Sequence, residues 1–502
     1  MSTVPQKSRR AVRHLLHLSV GAIALAALAA CSTRPVGPDY AVPADAVALR
    51  VHPGQSFASA VDATLANEKN LLVSNAPLPD HWWRLYRDEE LNALIEKALQ
   101  HNTDLRQALA NLERVQAVEQ EIAGSARPSL SVGGGPSYGH VSGLSVLAPG
   151  HVPPNAFGYS ANAGISYQID LFGQIRRAIE AAQAGTDAAQ AAVDLTRVNV
   201  AASTARAYAA ACTAGLRLDV MRHSIALQTQ SADISRRLHD AGKVGSIDVQ
   251  RALAQVEQLK AELPPLHASR QSALFQLATL TGEQPQDFPP EVQQCHEAPR
   301  IAGTIPVGDG QALLRRRPDI RQAERQLAQA TAQIGVATAD LYPRISLGLS
   351  AASAGHMTGL GRGDTFSWSL GPLISWSIPV NGVAHARIAQ AEAGAKGALA
   401  RFDGTVLNAL RETETALTHY ARELDRNAHL QAAREQSIQV AEEARKLYAN
   451  GKTGYLETLD AERVLVNADS ALAASQAHIV DEQLALFLAL GGGWAVEDSS
   501  SH

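Results

Sequence analysis

Arg445-Lys446-Leu447-Tyr448-Ala449-Asn450-Gly451-Lys452-Thr453-Gly454-Tyr455-Leu456-Glu457-Thr458-Leu459-Asp460, continuing to Val466, decides the fold because its pattern occurs twice. The earlier copy, from Arg236, reads Arg237-Leu238-His239-Asp240-Ala241-Gly242-Lys243-Val244-Gly245-Ser246-Ile247-Asp248, with Gly242 and Gly245 standing 209 positions before Gly451 and Gly454. Each copy predicts two helices meeting at a tight turn. Glycine supplies the left-handed backbone that ends the incoming helix, and Ser246 or Thr453 is expected to cap the outgoing one.

Working outward, each turn sits between long helical stretches. From Gly173 to Gly242 no proline occurs, and the helix predicted there is about 100 Å long. Gly382 to Asn450 predicts a second such helix. The return from Ser246 to Leu280 is about half as long and contains Pro264-Pro265, which must kink or divide it. The return from Tyr455 to Leu490 has Leu465, Leu472, Ile479 and Leu486 every seven residues, as are Val466, Ala473, Val480 and Phe487. Glu462, Asp469, Gln476 and Gln483 form a polar row of the same period, the mark of coiled-coil-like packing.

Ahead of each long helix the period changes from 3.6 to 2. Tyr159, Ala161, Ala163, Ile165, Tyr167, Ile169 and Leu171 alternate with Ser160, Asn162, Gly164, Ser166, Gln168 and Asp170. In the second copy Phe366, Trp368, Leu370, Ile374, Trp376 and Ile378 alternate with Ser367, Ser369, Gly371, Ser375 and Ser377. A preceding strand in each copy starts from Pro128-Ser129-Leu130-Ser131-Val132 and Pro343-Arg344-Ile345-Ser346-Leu347. Such lengths suit tilted spans of a bilayer. Open sheet edges are not tolerated in lipid, and four strands cannot close a barrel, so several chains must share one. Two chains would give eight strands with a filled interior, whereas three give twelve with room for a pore.

The first 30 residues carry Lys7, Arg9, Arg10 and Arg13 and no acid, followed by an apolar run from Leu15 to Ala30, the pattern of a secretion leader. The run is short for a permanent membrane helix. Leu28-Ala29-Ala30-Cys31 resembles the bacterial lipobox, in which Cys31 is lipidated and becomes the mature N-terminus. An ordinary cleavage site preceding a cysteine is the alternative. Ser32 stands where an aspartate would favour inner-membrane retention. Pro35 to Pro79 reads as an extended tether. The net charge of −5, more negative once the leader is removed, is a poor fit to nucleic acid. Cys212 and Cys295 lie in no CxxC or dense framework, so no essential disulfide is expected.

No HExxH, CxxC pair or Walker loop is present, so the chain is expected to be no enzyme and to need no cofactor or metal. Gly359-Leu360-Gly361-Arg362-Gly363 lies between strands and opens no helix. The 17 histidines are scattered. Arg315-Arg316-Arg317 reads as the solvated start of a helix, with an anionic partner as the other possibility.

The duplication, Trp82-Trp83 with Leu85, the lipobox, the two Gly-x-x-Gly turns, Leu263-Pro264-Pro265-Leu266 and Leu490-Gly491-Gly492-Gly493-Trp494 together resemble the TolC-like outer-membrane efflux proteins, in particular their lipoprotein branch of NodT/OprM type. The resemblance covers residues 35 to 494. It implies a mixed α and β membrane protein: a trimeric channel with a twelve-stranded outer-membrane barrel, four strands per chain, and a long α-helical periplasmic barrel. Residues 1–30 are then the leader and 31–80 the lipidated tether. The first repeat covers 81–310, with strands near 128–138 and 159–171 and a hairpin over 174–281. The second covers 311–494, with strands near 343–352 and 366–379 and a hairpin over 383–490, and 495–502 is a tail.

The implied function is passive conduction of substrates delivered by an inner-membrane pump of RND type and a periplasmic adaptor. An exit duct for type I protein secretion and a non-conducting lipid-anchored scaffold are the alternatives. By resemblance, Leu456 and Asp460, one helical turn apart, line a constriction at the periplasmic mouth. On the residues alone, Leu456 packing between helices and Asp460 as a solvated first-turn acid remain open. Tyr448 and Asp248 are expected to tie the two hairpins when closed. The tips, Gly242, Lys243, Val244, Gly245, Gly451, Lys452, Thr453 and Gly454, are expected to dock the adaptor. The family often has arginine after the tip tyrosine, where this chain has Ala449.

Overall fold

The computed structural model describes residues 34–52, 54, 57–59, 73–140, 142, 149–150, 152–301, 303–378 and 380–492. The leader, Cys31, part of the tether, Gly493-Trp494 and the tail lie outside them. In chain order come β1 (Val73–Ser74), α1 (Glu89–His101), α2 (Thr103–Gly124), β2 (Ser129–Gly139) and β3 (Ala156–Ile169). There follow α3 (Gln174–Asp240), α4 (Ser246–Ala261), α5 (Leu263–Leu280), β4 (Ile305–Pro306), α6 (Gly310–Arg316) and α7 (Pro318–Ala339). The chain continues through β5 (Arg344–His356), β6 (Phe366–Ser375), α8 (Val383–Ala449) and α9 (Tyr455–Ala489).

Helices α3 and α8 have 67 residues each, about 100 Å apiece. The return after the first turn is divided at Glu262, and Pro264 and Pro265 fall in the first turn of α5, where a missing N–H costs no helical bond. No described helix is long and apolar enough to cross a membrane.

Contacts divide the chain into two compact units. One comprises the described residues of 34–42, 114–187 and 325–399 and contains an antiparallel sheet of order β2-β3-β5-β6. Register sets the strand bounds. The strand expected from 159 begins at Ala156, paired with Gly139, and the one expected to end near 352 runs to His356, opposite Gly158. The last strand, expected to reach 379, ends at Ser375 because its partner β5 begins at Arg344.

The same register brings the apolar sets of all four strands onto one face. Leu130 pairs with Ile165, Ile165 with Leu349 and Leu349 with Leu370, and a second row runs Val132, Ala163, Ala351 and Trp368. Opposite lie Ser131, Gly164, Ser350 and Ser369 in one row and Gly133, Asn162, Ala352 and Ser367 in another. Leu130, Val132, Phe157, Trp368 and Leu370 are exposed in the chain. Between Arg344 at the start of β5 and His356 at its end, none of the four strands carries a charged side chain.

The tether is held in this unit at residues 36–39. Buried Arg177 donates to the carbonyl of Val36 (3.1 Å) and to Asp39 (2.6 Å). At Gly37, whose φ is +86°, a Cβ would lie 2.5 Å from the Cα of Gly335, so only glycine fits.

The other unit, the described residues of 43–113, 188–324 and 400–492, has an alanine-rich core into which Trp82 and Trp83 are fully buried. Trp82 stacks on Phe487 with centroids 4.6 Å apart, a pair worth about 1 kcal/mol beyond its buried area. Alanines such as Ala201, Ala205, Ala209 and Ala211 let α3 approach its neighbours closely.

Two expectations are corrected in this unit. Cys212 of α3 and Cys295 of the connector form a disulfide, with Cα atoms 4.7 Å apart and a sequence separation of 83. Such distant cysteines look unrelated in the sequence. The connector reaches α3 because Gly215 lacks a Cβ, which would stand 2.3 Å from the Cys295 carbonyl oxygen. The second correction concerns the arginine run. Arg315 is exposed, but Arg317 is buried, pairs with Asp319 (2.7 Å) and Glu412 (2.9 Å), and donates to the Ala489 carbonyl (2.9 Å). It therefore caps the C-terminus of α9, where a cation is favoured by the helix dipole.

Candidate gate at the helix turns

Both turns close in the same way. Gly242 has φ +74° and Gly451 +69°, the left-handed region open to glycine. At the first, the N–H of Gly242 donates to His239 O (2.8 Å) and that of Lys243 to Leu238 O (2.9 Å). At the second, Gly451 donates to Tyr448 O (2.8 Å) and Lys452 to Leu447 O (2.9 Å). These paired bonds satisfy carbonyls orphaned at the end of α3 and α8. The capping expectation is corrected: Gly245 and Gly454 occupy the N-cap positions, and neither outgoing helix has a side-chain cap bond. Ser246 already lies inside α4, and Thr453 precedes the cap.

Leu456 is 61 % exposed, and Asp460, one turn along the same face of α9, is exposed too. The repeat places Ile247 at the position matching Leu456, and it is 58 % exposed. Arg251 matches Asp460 and lies 3.6 Å from half-buried Asp248. Lys243, Lys452, Gly242, Gly245, Gly451 and Gly454 are exposed, while Val244 and Thr453 are half-buried.

Tyr448 is buried, and its hydroxyl donates to Ser235 of α3 at 3.0 Å. The expected tie between hairpins therefore runs through Ser235. Asp248 acts on Tyr448 only as a nearby charge, which adds to burial in raising the phenol above its usual pKa. The ring of Tyr455 lies 5.3 Å from that of Tyr448, and Gln228 donates to the Tyr455 hydroxyl at 3.0 Å. Two residues beyond Asp460, and so on the opposite, inner side of α9, Glu462 is buried, accepts from Ser231, and pairs with Arg445 at 2.8 Å. Burial raises its pKa against the opposing pull of these two partners.

Reasoning from the sequence did not single out Ile247, Ser235 or Gln228 at the turns, and it placed Glu462 only in a polar row of α9. The 209-residue displacement that links the glycines also points to Ile247. The α3 residues carry no such signal, because a serine or glutamine on a long helix resembles a solvated one. Among the described residues no group of three or more His, Cys, Asp or Glu is placed to hold a metal ion.

Residues 94–283 and 310–492 match the family model described as outer membrane efflux protein. Nodulation protein T of Rhizobium leguminosarum bv. viciae is 30% identical over 425 residues, spanning 84% of this chain and 86% of that one. The solvent efflux pump outer membrane protein SrpC of Pseudomonas putida is 28% identical over 495 residues, spanning 96% and 99%. Among solved structures, the outer-membrane channel OprN superposes with a TM-score of 0.83 at 33% identity, covering 91% of this chain and 99% of that one. VceC of Vibrio cholerae gives 0.75 at 27% identity, with 84% and 100% covered. The two matched halves, the four-stranded sheet and the paired long helices share one explanation: the chain belongs to the outer membrane efflux protein family, of NodT/OprM type, and has the TolC-like fold.

Proposed function

We propose that three copies of this chain form the outer-membrane channel of a tripartite efflux system, fed by an inner-membrane pump of RND type through a periplasmic adaptor. The observation that carries this reading is the sheet with one apolar face, one hydroxyl-rich face and two unpaired edges, β2 and β6. Lipid demands that such edges be closed. Strands β2 and β6 run in opposite directions, so β6 of one copy can receive β2 of the next and continue the antiparallel order until twelve strands close. The apolar face then meets lipid and the serines line the lumen. Aromatic residues stand towards both ends of the apolar face, with Tyr138 and Phe157 at one and Tyr167 and, just past the end of β6, Trp376 at the other, as at the two interfaces of a membrane barrel.

In this reading Leu456 and Asp460 form an apolar and an acidic ring at the periplasmic mouth. The exposed turns, including Lys243 and Lys452, meet the adaptor. Conduction is passive. Mass measurement in detergent should give three chains, and the purified protein should conduct ions across a planar bilayer. A stable monomer with its sheet edges closed would overturn the assembly. Lipid anchoring at Cys31, outside the described residues, belongs to the same reading. Metabolic labelling with a fatty acid should mark the wild type and spare Cys31→Ser, and equal labelling of the two would refute it.

A further inference from the structure

We propose that this protein is a substrate of a periplasmic thiol-oxidising protein, with Cys295 as the first cysteine to react and Cys212 as the resolving one, and that the bond latches the connector between the repeats onto α3. The proposal rests on the outer-membrane reading only for the compartment in which the bond is made.

The argument begins with contacts beside the bond. The connector after α5 buries Val292 and Ala298 in the core. Arg270 of α5 donates to the carbonyls of Gln293 and Cys295. His296 Nδ1 lies 2.8 Å from Asp219 Oδ2 on α3, and the missing Cβ of Gly215 admits the Cys295 carbonyl. These contacts flank the cysteines on both chain segments, so docking of the connector brings the two thiols together without help from the bond.

Order follows from burial. Cys212 faces the core with no exposed surface, while Cys295 is half-buried on the connector. Before the connector docks, Cys295 is the thiol that an oxidant protein can reach. Its thiolate attacks the oxidant's disulfide, forming a mixed disulfide and releasing one oxidant thiolate. Docking then presents Cys212, whose thiolate attacks the Cys295 sulfur and expels the second oxidant thiolate. Two electrons and two protons pass from the cysteine pair to the oxidant, which leaves as a dithiol. The product closes a ring over the 83-residue separation, enclosing the far part of α3, the first turn, α4 and α5. The second repeat has Ala421 where the first has Cys212, so its hairpin has no such ring.

The test uses the full-length protein in its membrane. Denatured without reductant, the wild type should show two fewer maleimide-reactive thiols than after reduction, a difference independent of Cys31. The same number in both samples would overturn the bond. Cys212→Ser should accumulate a reducible adduct with the oxidant protein, and Cys295→Ser should not; equal adducts, or none from either, would overturn the assigned order. For the latch, Cys212→Ser/Cys295→Ser should be cut by trypsin at exposed Arg300 about tenfold faster or more than the wild type. Unchanged cleavage would overturn it. A detergent mass of three chains for both proteins separates loss of the latch from failure of the assembly.

Discussion

Leu456 and Asp460 stand exposed one turn apart on α9, immediately after a turn whose geometry glycine alone accommodates easily. If three copies meet there, truncating both side chains removes the apolar and acidic rings together while leaving the buried Tyr455, Thr458 and Leu459 in place. Leu456→Ala/Asp460→Ala is therefore expected to raise single-channel conductance and admit large periplasmic antibiotics such as vancomycin, with trimer mass unchanged. Unaltered conductance in a correctly assembled trimer would exclude this gate. The turns were legible in the sequence because a positive φ restricts the choice of residue and the restriction appears twice at one displacement. The Cys212–Cys295 bond was not, since it depends on a missing Cβ at Gly215 and on the path of an irregular connector. Arg317 was hidden for a similar reason. Three arginines in a row look alike until the end of α9, far along the chain, arrives beside one of them.

At the scale of the element, α9 shows what periodicity conveys and what it omits. The seven-residue rows identified Leu465, Ala473, Val480, Leu486 and Phe487, which are buried. The polar row is largely buried as well, since Glu462, Asp469 and Gln483 are each less than a tenth exposed. Arg445 meets Glu462 at 2.8 Å, Arg434 meets Asp469 at 2.5 Å, and Gln483 donates to Tyr420 at 3.3 Å. A period says which residues share a side but not what lies opposite. For most of this row the opposite partner is on α8, so the seam between the two helices holds polar pairs beside apolar contacts such as those of Leu465 and Ala461 with Ala441. Removing one partner from such a seam leaves a desolvated group unmatched.

Glu462 gives the seam a pH dependence whose sign follows from burial. Its pKa in the folded chain is raised above the ordinary 4.5, so the folded state holds the proton more tightly than the unfolded one. Its contribution to stability is full below about pH 4.5 and is lost as pH rises through the raised value. The ionisable groups about it are Arg445, whose attraction limits the rise, and the phenols of Tyr448 and Tyr455, which stay neutral across this range. Glu462→Gln cannot ionise and should lack that loss. Urea midpoints of wild type and variant, followed from pH 4.5 to 7.5, should diverge, with the wild type falling relative to the variant. Parallel midpoints would show that Glu462 does not titrate differently on folding.

At the scale of the whole molecule, the sheet gains its meaning only when copies are combined, and the sequence carried much of that argument. Alternation identified the two faces, because a period of two leaves little freedom in a sheet with one face against lipid. The strand ends depended on partners: Ser375 closes β6 because Arg344 opens β5. The hydroxyl-rich face also has an electrical consequence. From Ser346 to Ala354 and from Ser367 to Ser375 it presents serine, glycine, alanine and Leu373, with no fixed charge. In a trimer, that section would show no permselectivity of its own, and cations, anions and neutral solutes would cross it against the same hydroxyl wall. Charge placed there by mutation should then set the sign of the reversal potential in a salt gradient. Ser369→Asp should shift it towards cation preference and Ser369→Lys towards anion preference, whereas two variants indistinguishable from wild type would place Ser369 away from the ion path.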